Sequence, residues 1–211
     1  MRRLPVYLLL DTSGSMSGEP IEAVKNGVQM LVAALRQDPY ALETAYLSVI
    51  TFDSNAKQVV PLTELAAFQP SELMASGSTS MGDALSLLAN KIDTEVGKTT
   101  AETKGDWKPL IFLMTDGGPT DDWQIGLSKL KQKKYGMMIA CAAGQGADVG
   151  VLKQVTDAVV QLDVADSATI KAFFKWVSAS ISTGSQKVEA SGKEVMGINE
   201  LPPPPPEVTI I

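Results

Sequence analysis

A chain of 211 residues, 45% of them apolar, is long enough to bury a core of its own, and a formal charge of −6 argues against non-specific binding to nucleic acid, whose phosphates need clustered Lys and Arg. The sequence contains no histidine, which removes Ser-His-Asp and Cys-His nucleophilic catalysis and every His-ligated zinc arrangement. The single cysteine, Cys141, lies in the apolar run Met137 to Ala143, so no intrachain disulfide can form and a buried core thiol is expected.

Val6 to Leu10 is an apolar run that reads as a buried first strand. Arg2 and Arg3 before it superficially suggest a leader, but Pro5 interrupts the run and Asp11 ends it without a small-residue cleavage site. Ile21, Val24, Val28, Leu31, Val32 and Leu35 then recur at helical spacing. Ala45 to Phe52 and Lys57 to Leu62 read as antiparallel neighbours joined by the polar turn Asp53-Ser54-Asn55. A helix over Gly82 to Val96 carries Leu85, Leu88, Ala89 and Ile92, and Gly97 to Lys108 reads as an exposed loop. Leu110 to Met114 is a second buried strand, Trp123 to Leu130 a helix, and Met137 to Ala143 a third buried strand. The basic run Lys129 to Lys134 reads as the solvated face of a helix. Val149 to Val155 fits a short helix and Val159 to Leu162 a short strand. Ile170, Phe173, Phe174, Val177 and Ile181 form the apolar face of a last helix.

This alternation predicts an α/β fold: a doubly wound, mostly parallel sheet with one antiparallel edge strand and helices on both faces. Residues 1–183 form the predicted domain. Residues 184–211, with Pro202 to Pro206, read as a flexible Pro-rich tail that either trails or offers Val208, Ile210 and Ile211 to a partner as an added strand. No apolar stretch approaches the roughly 20 residues needed to cross a bilayer, and no membrane role is expected.

Chemistry is concentrated at strand exits. Asp11, Ser13 and Ser15 alternate along an extended turn after the first strand, so their oxygens converge on one point. Thr79, within Gly77-Ser78-Thr79-Ser80-Met81-Gly82, and Asp116, after the strand ending at Met114, lie on two further loops of such a sheet. Together they supply five oxygen groups suited to a hard cation, Mg2+ foremost, with Mn2+ or Ca2+ as substitutes. Gly117 and Gly118 are expected to allow close backbone approach.

The pattern D-x-S-x-S, then a distant Thr, then a distant Asp resembles the metal-ion-dependent adhesion site of the von Willebrand factor A (vWA) domain, over about residues 4 to 182. The resemblance implies that Ser13 and Ser15 ligate the metal directly and Thr79 directly or through water. It implies that Asp11 and Asp116 act largely through water and second-sphere hydrogen bonds. It further implies a non-enzymatic, cytoplasmic, magnesium-dependent adaptor whose partner supplies an Asp or Glu ligand. Pro5 to Asp11, Gly18-Glu19-Pro20-Ile21 and Thr115 to Trp123 resemble more narrowly the TerY type of bacterial tellurite-resistance operons. Such proteins are commonly encoded beside a protein kinase and a metal-dependent protein phosphatase, which implies a stress-related phosphosignalling role. Two alternatives are a regulatory subunit of an ATPase or chelatase-like complex and a metal-dependent hydrolase; the latter lacks an identifiable general base.

Two decoys are set aside. Gly97-Lys98-Thr99 lacks the first Gly of a phosphate-binding loop, with Ile at position 92, and Gly144-x-Gly146 has Val at 149 where a dinucleotide fingerprint needs its third Gly.

Overall fold

Strand β1, Leu4–Asp11, is buried at every position and runs through the middle of a seven-stranded sheet in a computed structural model that describes residues 2–211. Around it are β2 (Ala45–Phe52), β3 (Ala56–Glu64), β4 (Leu110–Thr115), β5 (Met137–Ala143), β6 (Ala158–Leu162) and β7 (Thr209–Ile210). The strand order is β3-β2-β1-β4-β5-β6-β7. The pairs among β2, β1, β4, β5 and β6 are parallel, and β3 is the predicted antiparallel edge. A second antiparallel edge, β7, comes from the chain's end.

Period-two alternation sends β1 side chains to two cores. Leu4, Val6, Leu8 and Leu10 face one, closed by helices α1 (Glu19–Leu35) and α6 (Ser167–Ser191) and by the short α2 (Pro39–Thr44). Tyr7 and Leu9 face the other, closed by α3 (Met81–Glu95), α4 (Trp123–Leu130) and α5 (Val149–Val155). Parallel strands covered on both faces read as continuous apolar runs, as β4 and β5 do. The chain leaves β1 toward β2 on one side and returns to β4 on the other. The carboxyl ends of β1 and β4 therefore flank a topological switch point, where such sheets form a crevice.

The boundary expected after Thr183 is corrected. Helix α6 continues through it to Ser191, with Gly184, Ser185 and Val188 buried, and ends at Gly192 in the left-handed conformation. The following segment is packed, with Val195, Leu201 and Val208 buried. Trp176 Nε1 donates to Pro202 O at 2.8 Å, Glu194 pairs with Lys108 at 3.4 Å, and Lys187 pairs with Glu200. The added strand forms within this chain's own sheet: Ile210 pairs with Val160, Thr209 pairs with Gln161, and Ile211 N donates to Val159 O.

Two further expectations are refined. Helix α4 stops at Leu130, so Lys131 to Lys134 follow it in a turn and irregular chain, where Lys133 reaches Asp93 at 2.5 Å. In the Gly97–Lys108 loop, residues 98–104 are exposed, but Asp106 accepts from Arg3 through both carboxylate oxygens and tethers the loop beside β1. Among the described residues no helix is long and apolar enough to cross a membrane.

Candidate metal centre

Asp11 closes β1 at the switch point and is buried. One carboxylate oxygen accepts from Ser13 N at 2.8 Å, which turns the chain sharply out of the strand, and the other accepts from Thr115 Oγ1 at the end of β4 at 2.6 Å. Burial pushes the Asp11 carboxyl above its ordinary range, hydrogen bonds from Ser13 and Thr115 oppose the shift, and the charge of Asp116 adds to it. A cation nearby would favour the ionised form. Because both oxygens are already engaged, Asp11 organises the loop and supplies charge behind it, which suits an outer-sphere role.

The turn continues as a 3-10 helix over Gly14–Met16, whose buried Met16 anchors the loop. It brings Ser13 Oγ and Ser15 Oγ to 3.1 Å from each other, and Ser15 Oγ donates to Asp116 Oδ1 at 2.7 Å. Ser13 is buried, Ser15 exposed and Asp116 half-buried, so the cluster opens to solvent on one side. Thr79 makes no direct hydrogen bond to the other four among the described residues. Its loop is joined to theirs through the backbone, with Gly14 N donating to Gly77 O at 3.0 Å and Ser76 N to Thr12 O at 2.9 Å.

A fourth segment, absent from the sequence reading of the site, props the cluster. In the β2–β3 turn, Asp53 O accepts from Ser80 N at 2.7 Å and Asp53 Oδ2 from Thr12 Oγ1 at 3.3 Å. The sequence showed that turn only as a hairpin connection. Thr120 and Asp121, downstream of Asp116, also contact the Thr79 loop. Thr120 Oγ1 accepts from Thr79 N at 3.0 Å, and Asp121 accepts from Gly82 N and Asp83 N at 2.9 and 2.8 Å. Of the two glycines expected to allow close approach, Gly117 accepts from Asp148 N at 3.2 Å through its backbone although nothing lies within 4 Å of where its Cβ would stand, and a Cβ on Gly118 would stand 3.4 Å from Asp148 Cβ, an ordinary contact.

No three His, Cys, Asp or Glu side chains converge to hold a metal among the described residues. The candidate oxygens are instead hydroxyl-rich: Ser13 and Ser15 in contact with each other and with Asp116, Asp11 beneath them, and Thr79 on the adjoining loop. Hydroxyl and carboxylate oxygens suit a hard cation such as Mg2+ better than a soft or nitrogen-preferring ion.

The sheet order and the strand-exit position of these loops define an α/β domain of the vWA class. The family model of the von Willebrand factor type A domain matches residues 6–176, and the chain belongs to that family. It is 37% identical over 123 residues to uncharacterized protein sll0103 of Synechocystis sp., covering 55% of this chain and 26% of that protein. The fold resembles a von Willebrand factor type A structure from Catenulispora acidiphila, at a TM-score of 0.67 and 19% identity over 86% of this chain and 43% of that one. It also resembles proximal thread matrix protein 1 from the mussel byssus with a zinc-occupied MIDAS motif, at a TM-score of 0.61 and 21% identity over 84% of this chain and 48% of that one. The chain thus spans about a quarter of the curated relative and about half of the mussel protein. At these structural identities the likeness concerns the fold.

Proposed function

We propose that this chain is a magnesium-dependent protein-binding module rather than an enzyme, with Asp11, Ser13, Ser15, Thr79 and Asp116 as its cation site. The observation that carries the reading is the contact chain Ser13–Ser15–Asp116, open to solvent, above a buried Asp11 whose oxygens are both engaged. Ser13 and Ser15 would hold the ion, with Thr79 and Asp116 alongside directly or through water. A shell of hydroxyls and water leaves a divalent ion underneutralised, so it attracts a hard anionic ligand, an Asp or Glu of a partner protein. The zinc-occupied site of the mussel protein supports divalent-cation binding on this fold. The hydrolase alternative needs a general base, and Asp11 is unavailable because it is buried behind two hydrogen bonds.

The narrower reading is an adaptor in a bacterial stress-resistance phosphosignalling system, located in the cytoplasm, with a kinase or a metal-dependent phosphatase as partner. Its support is the TerY-like texture of Thr115 to Trp123 and of the segments around β1. Titration calorimetry with Mg2+ and Mn2+ tests the cation site. Asp116→Ala should weaken binding with the fold retained by circular dichroism, and unchanged affinity would sink the assignment. For a partner in hand, capture should require Mg2+ and should fall with EDTA or with Ser13→Ala. Capture surviving both would assign the interaction to another face.

A further inference from the structure

Two side chains that the five-residue pattern does not include hold two of its loops together. Thr79 is bonded to Thr120 in both directions: Thr79 N donates to Thr120 Oγ1 at 3.0 Å, and Thr120 N donates to Thr79 O at 2.9 Å. Two residues beyond Thr79, helix α3 begins with amides that need acceptors. Ser80 stands at the N-cap but does not cap the helix, because its hydroxyl donates to Ser54 O at 3.0 Å. The amides of Gly82 and Asp83 are taken instead by the two carboxylate oxygens of Asp121, a residue from a different loop. Thr120 and Asp121 follow Asp116 by four and five positions. The loop that bears one member of the proposed site therefore fixes the backbone of another.

The fit between these loops is tight. A Cβ on Gly82 would stand 2.7 Å from both Asp122 O and Trp123 Cα, so the loops meet backbone to backbone and no side-chain rotation can absorb a shift. Register between the Thr79 and Asp116 loops is thus set by Thr120, Asp121 and the absence of a side chain at Gly82.

We propose that Thr120 and Asp121 are positioning residues of the cation site, holding the Thr79 loop in register with the Asp116 loop and so setting the preference for Mg2+ over Ca2+. This rests on the cation-site reading above. Mg2+ demands near-ideal octahedral order at short bond lengths, whereas Ca2+ accepts more ligands, longer bonds and looser geometry. Loosening the register should penalise Mg2+ more than Ca2+. General destabilisation of the fold would not change that ratio.

The test is calorimetric titration of the full chain with Mg2+ and, separately, Ca2+, each variant being checked for folding by circular dichroism. Thr120→Val removes the acceptor for Thr79 N at nearly constant shape, and Asp121→Asn removes the charge and one of two acceptor oxygens. Both should bind Mg2+ about 10–100-fold more weakly, the range typical of outer-shell substitutions, with a smaller loss for Ca2+. Thr120→Ser, which keeps the hydroxyl, should restore the wild-type ratio. Asp38→Ala removes the cap of α2 at the other end of the sheet, where Asp38 accepts from Tyr40 N at 2.9 Å, and should leave the ratio unchanged. Wild-type Mg2+ binding in Thr120→Val and Asp121→Asn, or equal loss for both ions, would overturn the positioning role while leaving the cation site standing. A wild-type protein that binds neither ion would overturn both.

Discussion

At the residue scale, Asp11 and Ser15 separate stability from binding within one site. Asp11 is buried and accepts two hydrogen bonds from buried partners, so Asp11→Ala strands Ser13 N away from water and leaves the Thr115 hydroxyl only a longer contact to Gly117 O at 3.4 Å. A stranded group costs about 1–3 kcal/mol. Ser15 is exposed, and its hydroxyl can be replaced by solvent on Asp116. Urea denaturation in EDTA should therefore show a clear loss for Asp11→Ala and almost none for Ser15→Ala, although both should weaken metal binding. Equal stabilities would mean that Asp11 does not organise the loop. Packing makes a similar prediction at Gly27, where α1 meets α6: a Cβ there would stand 2.2 Å from Cδ2 of the buried Phe174. Gly27→Ala should cost about 1–3 kcal/mol by overpacking, read from the same urea midpoint. Burial also pushes the Cys141 thiol well above its ordinary range, so a thiol reagent should modify the protein only on unfolding.

At the scale of elements, α6 depends on a capping box, in which Asp166 Oδ1 accepts from Thr169 N at 2.9 Å and Thr169 Oγ1 bonds back toward Asp166. The Thr169 amide holds the Asp166 carboxyl below its ordinary value of 3.8. A depressed folded pKa adds stability above the unfolded value, and that stability disappears as pH falls through the folded value. Thermal melting of wild type should thus drop more steeply below pH 3.8 than that of Asp166→Asn, whose amide caps without titrating; parallel curves would remove the charge from the cap's role. The apolar periods of β1, α1, α3, β4, β5 and the first half of α6 were visible in the sequence because each buries a regular stripe. Helix α2 was not, being six residues long with Ala41 and Thr44 as its buried side chains; its one signal is Asp38-Pro39, a cap followed by a first-turn proline. The second half of α6 has no legible apolar period because its buried face there is Gly184, Ser185 and a single aliphatic residue, Val188. Asp11, Ser13, Ser15, Thr79 and Asp116 were legible as oxygen donors at strand exits. Thr120 and Asp121 were not, because a capping contact between distant loops has no local spacing.

Across the whole molecule, the last twenty residues behave as part of the domain rather than as an appendage. They bury Val195, Leu201 and Val208 against the α1–α6 side of the sheet and satisfy the indole N–H of Trp176. They also cover the outer edge of β6 with β7. Burying an aliphatic side chain is worth about 1.5–3 kcal/mol, an upper figure because unfolded chains are already partly compact, and ordering the segment opposes it. Truncation after Ser191 should still cost at least about 2 kcal/mol, or roughly 4–8 °C in a chain of this length. An unchanged melting temperature would mean that the packing seen here is energetically neutral. The same truncation uncovers the Val159–Gln161 edge, whose backbone groups would then lack the partners they have in Thr209, Ile210 and Ile211. Unpaired edges recruit other strands. The opposite edge, β3, carries its own protection in Pro61 and a break in register opposite Leu47–Ile50, so new association should arise at β6. Light scattering should report self-association of the truncated chain but not of the full one. Replacing Gln161 with Pro in the truncated chain should then restore the monomer by removing a donor from that edge.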